Sequence, residues 1–314
     1  MKARKTSFLL IPLFCFILSS CIEFESQELI YDHDEKKDQI RMTLNYKRIF
    51  GNLDTGENSQ YGPADIATKD NLNQKQISQF ESVLDEKRAF FFSNWIFEYN
   101  QRGLSEMLIK DKDIPVTAGR FFGKPEKELI RALIKEVKVE NAGFYQDKKG
   151  RLCAAQTITI SNASKIISLT NQILGRQLKE RIQEMRDEVN NKIPNSFSME
   201  TIDLIDTKVH DDFPFIQIEG NLITLTMVMT QTDQKRIAKS TLKDLPHGTQ
   251  IEFQDEALLI KIGAKHQGFA KLTKQCFEGY LPNALNHIQE NHKKLLIKPR
   301  KIDLMLQNFL SGKN

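Results

Sequence analysis

Long apolar runs are almost absent from this 314-residue chain. Phe8 to Leu18 is the exception, and at about 11 residues it is shorter than the roughly 20 a spanning helix needs. No later stretch is long and apolar enough to cross a bilayer as a helix. An excess of one charge is also missing. The chain holds 45 basic and 41 acidic residues. Removing residues 1–20 takes away Lys2, Arg4 and Lys5 and no acid, which leaves 42 − 41 = +1. That balance excludes a nucleic-acid surface, which needs clustered positive charge. No G-x-S-x-G elbow, Walker loop or G-x-G-x-x-G turn occurs, so the usual signatures of an acyl-transfer, NTP-hydrolysing or dinucleotide enzyme are lacking. Cysteine is scarce, with four in the chain.

What is present begins at the N-terminus. Lys2, Arg4 and Lys5 precede the apolar run, and Ser19, Ser20 and Cys21 follow it. A basic start, a short apolar stretch and small residues are the layout of a secretory signal. Leu18-Ser19-Ser20-Cys21 resembles the lipobox of bacterial lipoproteins, in which a Leu, two small residues and a Cys end the signal. The resemblance covers only Met1 to Cys21. It implies a signal peptide over 1–20, cleavage between Ser20 and Cys21, and a diacylglyceryl thioether on Cys21. The mature domain, 21–314, is then held on the bilayer by acylated Cys21 without a spanning helix. Ile22 after that Cys, in place of Asp, favours an outer membrane where the cell has one, with the domain facing the periplasm.

Patterning along the mature chain predicts an α+β fold. Antiparallel β-hairpins alternate with helices, as strand–strand–helix units repeated about four times. Ile22 to Phe50 reads as two strands around the charged connector Asp32 to Asp38. Residues 73–101 read as a helix and 103–124 as irregular. Pro125 opens a helix to about Lys135, as its fixed φ suits a first turn. Val137 to Gln146 and Leu152 to Ser161 form a hairpin, and Ser161 or Asn162 can cap the helix that follows. That helix, about 163–192, is the longest, with Ile166, Ile173, Leu178, Ile182 and Met185 on one face. Two more hairpins follow, over 215–230 and 251–262. Helices are expected at 233–243, 269–277, 282–296 and 302–310.

Candidate sites are few. Six aromatics lie between Phe90 and Tyr99, and their bulk reads first as core. The functional alternative is an apolar groove through Phe91, Trp95 and Tyr99. Cys153 and Cys276 remain once Cys15 and Cys21 are set aside. An exported compartment permits a disulfide between them, and two separate buried thiols are the alternative. No metal set is expected. The Asp32 to Asp38 loop contains Lys36 and Lys37 and lacks the Gly of a calcium loop. His287 and His292 are five residues apart, about 140° around a helix, and so miss the i, i+4 spacing of a zinc pair. His210-Asp211-Asp212 reads as a solvated loop before it reads as an acid–base cluster. Lys293, Lys294, Lys298, Arg300 and Lys301 form a basic cluster that reads as a solvated helix end, or else as a surface for anionic headgroups.

These features describe a lipid-anchored, non-catalytic binding or scaffolding domain of the cell envelope. Its partner would be a protein, glycan or lipid, and it needs no cofactor. The alternative is a hydrolase-like envelope enzyme whose active site is dispersed in sequence.

Overall fold

The computed structural model describes residues 22–51, 72, 74–91, 97–113, 123–193, 196–241, 245–273 and 284–313. Eight α-helices and eleven strands in antiparallel sheets lie among them. Strict alternation builds the first hairpin. In β2 (Gln39–Gly51), Ile40, Met42, Leu44 and Tyr46 all point inward, and the strand pairs along its length with β1 (Ile22–Asp34). Then come α1 (Gln74–Asp85), β3 (Ala89–Phe91), β4 (Phe97–Tyr99), α2 (Gln101–Asp113) and α3 (Lys124–Glu136). A second hairpin, β5 (Val137–Gln146) and β6 (Leu152–Ser161), leads into α4 (Ala163–Asn190) and α5 (Met199–Lys208). β7 (Ile216–Glu219), β8 (Leu222–Val228), α6 (Gln231–Thr241), β9 (Thr249–Phe253) and β10 (Ala257–Ile262) follow. The described chain closes with β11 (Gly268–Thr273), α7 (Leu285–Asn291) and α8 (Pro299–Leu310).

Five strands make the first sheet, in the order β11-β1-β2-β6-β5, and four make the second, β7-β8-β10-β9. The main core joins one face of the first sheet to α3, α7 and the first half of α4, through residues such as Leu44, Ile130, Ile158, Leu169 and Ile288. The second half of α4 presents Ile182 and Met185 to another core, shared with Ile202 and Ile205 of α5 and Leu258 of β10. The single long helix therefore spans both cores. On the opposite face of the first sheet, Ile302 and Leu306 of α8, one turn apart, bury Tyr145, Cys153 and Ala155.

The alternation of hairpins and helices is as the patterning predicts, but the pattern does not mark α5, α7 stops at Asn291 and not at residue 296, and four further places are corrected. Residues 73–101 do not form one helix. Lys87 takes a positive φ of 49° and ends α1, after which Ala89–Phe91 pairs with Phe97–Tyr99. Aromatic residues suit a pleated, half-buried surface, and here that preference outweighs a weak helical periodicity. Residues 101–113 are helical, because the Asn100 side chain accepts from the Gly103 N–H at 2.9 Å as an N-cap. Residues 268–273 are a strand and not a helix, since pairing with β1 covers an open sheet edge. The cap of α4 is neither Ser161 nor a side-chain bond from Asn162. Asp38, in the first hairpin turn, accepts from the Ser164 N–H at 2.9 Å and its hydroxyl at 2.6 Å.

Tyr31 links the two sheets. Its hydroxyl lies 2.8 Å from the Asn221 carbonyl and 2.9 Å from that of Ile262, while its ring covers Gly268 on β11. A Cβ at Gly268 would sit 2.4 Å from the Tyr31 carbonyl oxygen and 2.5 Å from its ring. Because the hydroxyl is pinned across the sheets, the ring cannot swing aside. Gly268→Ala should cost about 3 kcal/mol, at the upper end of overpacking penalties. Urea unfolding measures this, and a change below about 0.5 kcal/mol, as at an ordinary surface site, would disprove the close approach.

Candidate functional site

An apolar cavity of about 60 Å3 lies between α1 and the first sheet. Phe80 and Leu84 of α1, Phe24 and Ile49 of the first hairpin, Phe90 of β3 and Phe144 of β5 line it. The small side chain of Ala154 on β6 leaves the space. At one side stand Tyr46, Asn141 and Gln156, and the protein satisfies all three. The Tyr46 hydroxyl donates to Gln156 Oε1 at 2.7 Å and accepts from the Phe90 N–H at 3.2 Å. Gln156 Nε2 donates to the Arg88 carbonyl at 2.9 Å and to Asn141 Oδ1 at 2.8 Å. Asn141 Nδ2 donates to the Leu84 carbonyl at 3.0 Å. Burial pushes the Tyr46 hydroxyl well above the ordinary tyrosine range. A water entering here would find few free partners, whereas an aliphatic group loses nothing. At about 60 Å3, the space is under half of the roughly 150 Å3 that holds benzene, so it fits a narrow chain and no ring.

The aromatic stretch enters this site through Phe90, and neither Phe91 nor Tyr99 lines the cavity. Tyr99 is buried toward α3, with its hydroxyl 3.2 Å from the carbonyls of Leu133 and Val137, and Phe91 is half-buried against the main core. Trp95 lies outside the described residues. No sequence signal marked Gln156 or Asn141, since single amides on strands look like any solvated position.

One pair that the sequence separated is brought together. α7 ends at Asn291, and His292 leaves the helix at φ −128°, ψ 30°. The 140° separation expected of an unbroken helix therefore does not arise. The His287 and His292 rings stand 5.3 Å apart, and Glu81 of α1 lies beside both. Elsewhere, His210 Nδ1 is 2.8 Å from Asp212 Oδ1, but both side chains are exposed, so the pair is a solvated loop contact.

Cys153 is a free thiol, wholly buried under α8, and burial pushes its pKa up. Cys276, its proposed disulfide partner, lies outside the described residues, as do Ser20 and Cys21. Lys293, Lys294, Lys298, Arg300 and Lys301 are all exposed. Lys293 and Lys294 follow the end of α7, as a helix-end reading expects, whereas Arg300 and Lys301 stand in the first turn of α8, where the helix dipole disfavours cations, and for these two the reading is corrected. Comparison with protein-family models, curated proteins and solved structures found no match.

Proposed function

We propose that this chain is a lipid-anchored protein of the cell envelope, acylated at Cys21, whose mature domain is a non-catalytic binder of an aliphatic chain end. The observation that carries the binding role is the apolar cavity under α1, whose polar wall is already satisfied by the protein. The lipobox-like Leu18-Ser19-Ser20-Cys21 supports the anchor, and by the same resemblance an outer membrane facing the periplasm. Among the described residues no helix is long and apolar enough to cross a membrane. Two acyl chains suffice for stable anchoring without one.

Mass spectrometry of membrane-extracted protein should find an N-terminal peptide beginning at diacylated Cys21. Cys21→Ser should move the protein to soluble fractions, and a mature chain starting at Ile22 or Met1 would refute the anchor. For the cavity, decanoate should raise the melting temperature of the intact protein. Ala154→Met fills the space and should abolish that rise without unfolding the domain. No shift with decanoate, or an equal shift in the filled variant, would refute the binding site.

A further inference from the structure

We propose that Glu81, His287 and His292 form a binding site for a divalent transition ion of the zinc class. This goes beyond the anchoring and chain-binding roles and rests on separate residues. The three donor atoms lie within 4.8 Å of one another. His287 Nε2 is 3.3 Å from Glu81 Oε1, and His292 Nε2 is 3.8 Å from the same oxygen. Bonds of about 2.0–2.1 Å at tetrahedral angles put neighbouring ligands about 3.3–3.4 Å apart. One pair already has that spacing, and the other, at 3.8 Å, is about half an ångström wide.

A second observation points to a ligand. Both Nε2 atoms are buried and neither makes a hydrogen bond. The His287 side chain is only 10% exposed. Buried polar atoms are nearly always paired, so two orphans aimed at one carboxylate call for an occupant. A cation between the three atoms satisfies both nitrogens and the oxygen together.

The surroundings hold these ligands in place. Ala284 and Ile288 are fully buried and fix α7 in the main core. After His292 the chain is tied to β5 by the Ile297 N–H, which donates to the Phe144 carbonyl at 2.7 Å. Phe80, the neighbour of Glu81, packs edge-on against His287 with ring centres 6.4 Å apart. The Asn291 amide lies 3.0 Å from His287 Nδ1. The same amide nitrogen donates to the His287 carbonyl at 3.2 Å, which ties the end of α7 to the histidine.

The donor set selects the ion. Two imidazoles and one carboxylate suit zinc and its neighbours, whereas calcium and magnesium prefer oxygen donors. Three protein ligands leave one tetrahedral position for water or an exogenous ligand.

The experiment uses the full chain without an affinity tag, stripped with chelator and titrated with zinc, cobalt and magnesium chlorides by calorimetry. One zinc per chain should bind, and magnesium should not compete. Cobalt should develop the visible bands of a tetrahedral N/O site. His287→Ala and His292→Ala should each weaken zinc by more than the roughly 10–100-fold that loss of an outer partner costs. The circular dichroism of both variants should be unchanged. If His287→Ala unfolds, His292→Gln, at a partly exposed position, decides the question. Absence of stoichiometric zinc, equal binding of magnesium, or unchanged affinity in the histidine variants would each overturn the site. The last result would assign binding to His33, His210, His247 or His266.

Discussion

Raising the pH from about 9 to about 12 will unfold this protein, because four buried tyrosines must keep their protons for the fold to survive. Burial pushes Tyr31 up to about 12 and Tyr99 up to about 12, and it raises Tyr46 and Tyr145 further in the same direction. An unfolded tyrosine titrates near about 10. The folded state therefore holds these protons more tightly than the unfolded chain. Their stabilisation is fully present below about pH 10 and is lost as pH rises from there through the folded values. A tenfold change in a group's acidity between the folded and unfolded chain is worth about 1.4 kcal/mol, so Tyr31 and Tyr99 together give up about 5 kcal/mol. That is comparable to the whole stability of a small domain. Circular dichroism and phenolate absorbance, followed together against pH, should show ellipticity lost as the buried phenols ionise. Tyr31→Phe and Tyr99→Phe should each flatten the alkaline limb, which lysine deprotonation would leave untouched. Four phenols ionising near pH 10 with the ellipticity intact would contradict the burial.

Arg176→Met should destabilise the protein by about 3 kcal/mol. Glu126 stands in the first turn of α3, its side chain only 3% exposed, and it is paired with Arg176 of α4. The pair bridges the two helices over the main core. Its removal leaves a buried carboxylate without its Arg176 countercharge, and Glu126 Oε2 already has no hydrogen-bond partner. Losing one member of a buried pair typically costs about 3–5 kcal/mol. The lower end applies because the Arg176 side chain is about a third open to solvent. Replacing both residues, Glu126→Met with Arg176→Met, should recover most of the loss, because a paired buried charge and an apolar pair of similar size are close in free energy. Chemical denaturation of the two single variants and the double variant forms the test. A double variant no better than Arg176→Met would mean that the helices are held by packing that the methionines disturb.

The candidate sites differ in how far the sequence foretold them. The cavity is made by Phe80, Phe90, Phe144 and Ala154 on β6, and the aromatic stretch pointed to the neighbourhood without naming Phe90 as the wall. The Glu81, His287 and His292 group was invisible. Its members are separated by roughly 200 residues of chain, and the local spacing of the two histidines argued against them. That argument assumed an unbroken helix, and it failed when α7 stopped at Asn291.

Patterns that depend only on neighbours in the chain were legible. Period-two alternation in residues 40–46 and 157–160 marked β2 and β6, and the polar turn at Asp147 to Gly150 joined β5 to β6. Two-faced periodicity over 163–190 set α4, because a helix of that length must bury one side. The lipobox-like signal is likewise a local pattern. Tertiary structure decided what depended on partners far away. Residues 268–273 became a strand because β1 offered an edge, and residues 89–91 and 97–99 gave up a helix for two short paired strands. Asp38 became the cap of α4 only once the first hairpin had closed against it. In each case the backbone could satisfy its hydrogen bonds in more than one way, and the choice fell to whichever burial the rest of the chain made available.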